Sequence, residues 1–377
     1  MGSPNRAGIV QQTLLTQRPG SGYQAYQADG GRHALMKYPE EGHARALLAK
    51  LERKLRGISN PPAEISISGG GVHWRCEASR GDSSCRTSCF DIRGVPQLLV
   101  SFDRSGSTQA WGRTSTEREA VAAIADWLNE CSVPELHHGH AFVDRSKRAL
   151  AVIAAKSVAL HPALLRSAPP VIKPGGSDIN YLWFRSATRS CELSFWGDKP
   201  HPDAKFHWDE CKLFEFPVSD ISRLGAVLKR WLIDESPPSV MRAEFPWLEI
   251  GPLADYYEQG NPIEGEFLQS WERIERFYQE RSFPHAAELK SFIAEMREQG
   301  FDRSLRAGQS MDTMVLSRAR RHGLEEEHPW VSFSFQNGRI SARHGTSEED
   351  GAVEVPAIKL SPEIEDLLRW LESQPIT

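Results

Sequence analysis

Three amphipathic stretches that end in Trp-Leu, each downstream of a β-hairpin pattern, constrain this chain more than any other feature. They cover residues 118–128, 222–232 and 362–371, and close on Trp127-Leu128, Trp231-Leu232 and Trp370-Leu371. Apolar residues recur at helical spacing in each: Ala122, Ile124 and Trp127; Leu224, Val227, Leu228 and Trp231; Ile364, Leu367, Leu368 and Trp370. The third opens Ser361-Pro362, an N-cap serine with proline at the first helical position. The hairpins pair residues 98–102 with 108–112, 181–185 with 191–197, and 331–335 with 340–345. In the last, Val331, Phe333 and Phe335 alternate with Ser332 and Ser334, the period of a half-buried strand. Asn337-Gly338 supplies the positive φ angles of a type I′ turn.

Each hairpin also follows an apolar-striped helix, marked by Leu47, Leu48, Leu51 and Leu55, then Leu150, Ile153 and Val158, then Leu289, Phe292, Ile293 and Met296. The pattern predicts an α+β protein of three tandem related helix–antiparallel-hairpin–helix units. Their expected bounds are 34–135, 141–236 and 282–377, after an N-terminal extension over 1–33. Between the second and third units, residues 237–281 carry Pro237-Pro238, Phe245-Pro246-Trp247 and a run of Phe267, Leu268, Trp271, Ile274, Phe277 and Tyr278. This segment reads as an aromatic helical connector docked onto the third unit.

A 377-residue chain, 40% hydrophobic and 25% charged, has enough apolar material for two or three cores. Its net charge of -5 argues against a dedicated polyanion binder, so nucleic acid is not an expected partner. Met1–Gln27 is polar, without the apolar stretch of a signal peptide. The most apolar segment, 149–165, is interrupted by Lys156, Ser157 and His161, and no membrane partner is expected. Six cysteines are too few for a disulfide scaffold in a chain this long, which suits reduced thiols and a cytoplasmic location.

The stretch from Phe245-Pro246-Trp247 through Gly251-Pro252-Leu253-Ala254-Asp255-Tyr256-Tyr257 to Gly260, with Pro262-Ile263-Glu264 and Trp271, resembles an uncharacterised, mostly actinobacterial family labelled "natural product biosynthesis protein". The likeness runs more loosely to Trp370. It implies an accessory or enzymatic role in a biosynthetic pathway, and no catalytic residues.

Among residues that could carry chemistry, Lys205-Phe206-His207-Trp208-Asp209-Glu210-Cys211 stands out. On a continuous strand His207, Asp209 and Cys211 would share one face and could hold zinc, with His201 or Asp203 completing the shell. The alternative is a polar edge strand with Phe206 and Trp208 turned inward. His73 and Cys76, with Cys85 and Cys89, offer a second set of soft ligands, or else reduced thiols between strands. His137, His138 and His140 cluster ahead of the second unit. Arg318, Arg320 and Arg321 precede Glu325-Glu326-Glu327, a charged face that could meet a charged partner. Gly69-Gly70-Gly71 lacks the lysine of a phosphate loop, and the common hydrolase, zinc-protease and kinase motifs are absent.

The expected function is therefore a non-catalytic protein-interaction module, of the kind that serves as an immunity or inhibitor protein against a toxin or effector. Its partner would be another protein, encoded nearby, docking on exposed sheet edges. The alternative is an enzyme or metal-dependent accessory protein centred on His207, Asp209 and Cys211.

Overall fold

A computed structural model describes residues 39–377 apart from 57–61, 71–72, 93–94, 196–198, 281–282, 311–312, 322–327 and 346–349. The 1–33 extension lies outside the described residues. The first part of the chain runs α1 (Pro39–Leu55), β1 (Glu64–Gly70), β2 (His73–Arg80), β3 (Ser83–Ile92), β4 (Val95–Arg104), β5 (Ser107–Thr114) and α2 (Glu117–Leu128). After α3 (Val133–Gly139) come α4 (Arg145–Leu160), α5 (Leu164–Ser167), β6 (Pro170–Pro174), β7 (Asn180–Arg185), β8 (Arg189–Ser194), β9 (Asp203–Trp208), β10 (Cys211–Pro217) and α6 (Ile221–Leu228). A π-helical turn, Lys229–Ile233, extends α6. The remainder is α7 (Pro238–Glu244), α8 (Leu253–Glu258), α9 (Pro262–Glu280), α10 (Ala286–Glu298), α11 (Phe301–Ser304), β11 (Arg306–Ser310), β12 (Thr313–Ser317), β13 (Trp330–Gln336), β14 (Arg339–Gly345), β15 (Asp350–Val355) and α12 (Pro362–Glu372).

The architecture is α+β, with three antiparallel five-stranded sheets, each a meander of consecutive strands. The anticipated hairpins form, but at different places in their sheets. Residues 98–112 give the fourth and fifth strands of the first sheet, 181–194 the second and third of the second, and 331–345 the third and fourth of the third. Aligning the hairpins directly is therefore out of register, although a helix, five strands and a helix recur in order.

Alternation gives each sheet an apolar row turned toward a core and a more polar row on the opposite face. In the first sheet Ala78, Cys85, Phe102 and Ala110 form a buried cross-strand row. The adjacent row, Glu77, Arg86, Ser101 and Trp111, projects from the opposite face. In the second sheet Phe184, Cys191, Phe206 and Phe214 face the core, and Trp183, Glu192, Lys205 and Glu215 face away. In the third, Leu316 and Val331 face inward and Val315, Ser332 and Arg343 outward.

Three separate apolar clusters lie beneath the sheets. Trp127 anchors the first and donates from Nε1 to the Asp103 carbonyl at 3.0 Å. Trp231 anchors the second and donates to the His207 carbonyl at 3.3 Å. The third departs from the anticipated scheme, because its buried indole is Trp271 of α9, bonded to the Leu305 carbonyl at 2.8 Å. In α12 the buried stripe is Ile364, Leu368 and Leu371, so Trp370 sits on its flank, half-buried against His344. The 237–281 connector is also shared. Met241, Phe245, Leu248, Leu253 and Tyr257 complete the second cluster, whereas Trp271, Ile274 and Tyr278 belong to the third.

Candidate functional site

The anticipated zinc trio does not converge. Asp209 and Glu210 adopt φ of 48° and 65° between the paired residues Trp208 and Cys211, so they form a two-residue hairpin turn. The turn breaks the alternation that would have aligned the three side chains. His207 projects from the face opposite the core, across from Lys212 and tilted against Trp183 at 5.9 Å. Cys211 pairs with inward-facing Trp208 and bonds toward Tyr257. Asp209 bridges to Arg320 at 2.6 Å and Arg321 at 3.3 Å. Partial burial of its carboxyl opposes ionisation, but these two guanidinium groups outweigh it and hold the group below the usual carboxylate range. Burial raises the Cys211 thiol, and Glu266 adds to that effect.

The second cysteine set is also divided by the pleat. Cys76, Cys85 and Cys89 point into the first core, while His73 is exposed at the start of β2. Burial pushes the Cys76 and Cys89 thiols up to about 12, which leaves them protonated packing groups at neutral pH. Among the described residues no group of three or more His, Cys, Asp or Glu side chains is placed to hold a metal ion. His137 and His140 are tied to Asp144 at 2.9 Å and Asp126 at 2.8 Å. The Glu325–Glu327 run lies outside the described residues.

His207 carries a measurable consequence. Burial, then Lys205, Lys212 and Arg185, lower its pKa to about 4 from 6.5. The unfolded chain therefore takes up this proton in a pH range where the folded chain resists it. Stability linked to this ring is constant above about pH 6.5 and falls as pH drops toward 4. Urea unfolding at about pH 7.5 and about pH 4.5 should show a larger acid loss in the wild type than in His207→Gln. Equal losses would contradict the assignment.

A ligand-sized cavity lies at the junction of the first and second sheets. Here Gly112 of β5 forms an antiparallel bridge with Val143. Asp144 donates its N–H to the Trp111 carbonyl at 2.6 Å, and its carboxylate accepts the Trp111 N–H at 3.1 Å. A Cβ on Gly112 would sit 2.5 Å from the Phe142 ring, so any larger residue would displace that ring where this segment closes against β5. Arg113 grips Asp178 of the second part through two 2.8 Å bonds, and Ser146 Oγ donates to the Asp178 carbonyl at 2.8 Å. These bonds frame a cavity of about 360 Å³ walled by Trp111, Phe142, Ile179 and Phe195. Arg145 and Lys199 also line it. Lys199 pairs with Asp203, whereas exposed Arg145 has no carboxylate partner among the described residues.

No protein-family model, no protein of curated function and no solved structure matches the chain. Among the described residues no helix is long and apolar enough to cross a membrane. The walls of the cavity come from β5, the loop before α4, the start of α4, the β6–β7 loop and the segment after β8, so no contiguous sequence pattern marks it. The nearest local signal was the cluster of His137, His138 and His140, of which His137 and His140 prove to be structural partners of Asp144 and Asp126.

Proposed function

We propose that the chain is a non-catalytic protein-interaction module that seats an apolar anchor side chain of its partner in the first junction cavity. An immunity or inhibitor protein that covers a toxin or effector would work in this way. The observation that carries the reading is the composition of the cavity: aromatic walls, volume for one large side chain, and acidic groups already engaged in structural bonds. Asp144 serves Trp111 and His137, and Asp178 serves Arg113. A group fixed in this way supports shape more readily than proton transfer, and buried pockets at interfaces are where anchor residues concentrate binding energy. The uncompensated charge of Arg145 favours a partner with a carboxylate beside its anchor.

Three sheets flanked by helices in the same order also support the reading that the three parts are related tandem units. The test is to mix the purified chain with the product of the neighbouring gene and follow the complex by size-exclusion chromatography and titration. Co-elution is expected, with affinity weakened at least about tenfold in Trp111→Ala and in Arg145→Glu. Arg145 is exposed, so its variant should keep the wild-type melting temperature. Absence of a complex, or unchanged affinity in both variants, would overturn the proposal.

A further inference from the structure

A second cleft, between the second and third sheets, has a different chemistry. It encloses about 520 Å³ and is lined by the hairpin turn and first residues of β10, by α9, by the start of β11 and by the segment after β12. Glu266, Gln269 and Arg273 are three and four residues apart, so they share one face of α9. Arg306, Arg320 and Arg321 enter from the other side.

The charges in this cleft do not balance locally. Arg320 bonds Glu266 at 3.0 Å and Asp209 at 2.6 Å, and Arg321 bonds Glu210 at 2.8 Å. Lys212 is paired with Glu215 at 3.0 Å. Among the described residues, the Arg306 side chain donates only to the Arg320 carbonyl, and that of Arg273 only to the Gln269 amide oxygen. Neither has a carboxylate partner among the described residues. Burial of Arg306, and then the neighbouring charge of Arg273, act against its ionised form, and Glu266 partly offsets them. Arg273 and Arg306, which remain charged in proteins, thus share one cleft without an ion-pair partner of their own among the described residues, and Glu266, already bonded to Arg320, offsets their charge only in part. A bound anion would relieve both the repulsion and the desolvation.

We propose that this cleft binds a small phosphoryl-bearing anion, with Arg273 and Arg306 as its principal donors. The guanidinium groups are carried by α9, β11 and the segment after β12, and so approach from separate elements. A tetrahedral phosphoryl group offers oxygens in several directions, whereas a planar carboxylate is satisfied by a single fork. Carboxylates in the cleft, Glu266 and Glu210, are already engaged, the first by Nε and Nη2 of Arg320 and the second by Nη1 of Arg321. The volume suits a small phosphate ester or a diphosphate.

Calorimetric titration of the full chain with pyrophosphate at constant ionic strength tests the proposal, with citrate as the carboxylate comparator. One-site binding of pyrophosphate is expected, tighter than citrate, and weakened at least about tenfold by Arg273→Gln and by Arg306→Gln. Arg303→Gln, outside the cleft, should bind as wild type. Arg273 is exposed on α9, so that variant keeps the test valid if Arg306→Gln folds poorly. No binding up to about 5 mM pyrophosphate would overturn the proposal. Unchanged affinity in Arg273→Gln, or tighter binding of citrate, would do so as well.

Discussion

Trp271→Ala is expected to lower stability by about 3–5 kcal/mol, the range for truncating a fully buried aromatic residue. Trp271 is 0% exposed and lies in the third cluster with Phe292, Met296 and Phe301. Its indole N–H also satisfies the Leu305 carbonyl, immediately before β11 starts. Beside it, Ser270 Oγ accepts the Ala307 N–H at 2.9 Å, so one turn of α9 sets the entry of the third sheet. The alanine variant therefore loses packing and leaves a buried acceptor unpaired. Trp271→Phe should restore much of the packing but not the hydrogen bond, for a loss of about 1–3 kcal/mol. Urea unfolding followed by far-ultraviolet circular dichroism gives both values. A loss below about 1 kcal/mol for alanine would show that the indole does not carry this core.

Arg189→Ala should have the second largest effect, about 2–4 kcal/mol, through lost cation–π contacts and hydrogen bonds. Arg189 is 4% exposed, with its guanidinium carbon 4.2 Å from the Trp208 ring centre and 4.3 Å from that of Trp231. Nη1 donates to the Trp231 carbonyl at 3.3 Å and the Ser236 carbonyl at 2.8 Å. It thereby ties the Trp231 carbonyl of the π-helical turn to the Ser236 carbonyl in the segment before α7. Burial lowers its pKa, with Glu235 partly offsetting the effect, so the residue is held by ring faces and carbonyl dipoles in place of a paired carboxylate. The first sheet uses a comparable device: Arg104 lies 4.2 Å from the Trp127 ring centre and donates to the Cys131 carbonyl at 3.1 Å. A planar guanidinium stacks between two indoles and a compact ammonium does not. Arg189→Lys should therefore recover less than half of the loss in chemical denaturation. Full recovery would mean that charge alone matters at this position.

The sequence made some elements legible and concealed others for physical reasons. Asn337-Gly338 declared its hairpin because glycine and asparagine are the residues most at ease at positive φ, and they take 73° and 52° here. The Asp209-Glu210 turn has the same geometry without glycine, and its ion pairs to Arg320 and Arg321 come from far along the chain. No local pattern could announce it, and the strand expected through His207, Asp209 and Cys211 was broken there. The first three strands were equally hidden. In β3 the inward positions are Ser83, Cys85, Thr87 and Cys89, small groups with weak apolar contrast against Arg86 and Ser88. Trp370 shares its Trp-Leu ending with Trp127 and Trp231, yet a one-residue change in the apolar stripe moves it to the flank of α12. The junction cavity and the arginine cleft are assembled from distant segments, so their residues carry no common spacing.

Hydrogen-exchange mass spectrometry on Trp271→Ala tests most directly whether the three sheets rest on separate cores. Amides of β11–β15, α10 and α12 should exchange on the order of a thousandfold faster than in the wild type, while those of β2–β5 under α1 and α2 keep their protection. An even loss of protection across all three sheets would contradict the account, since it would mean a single cooperative core.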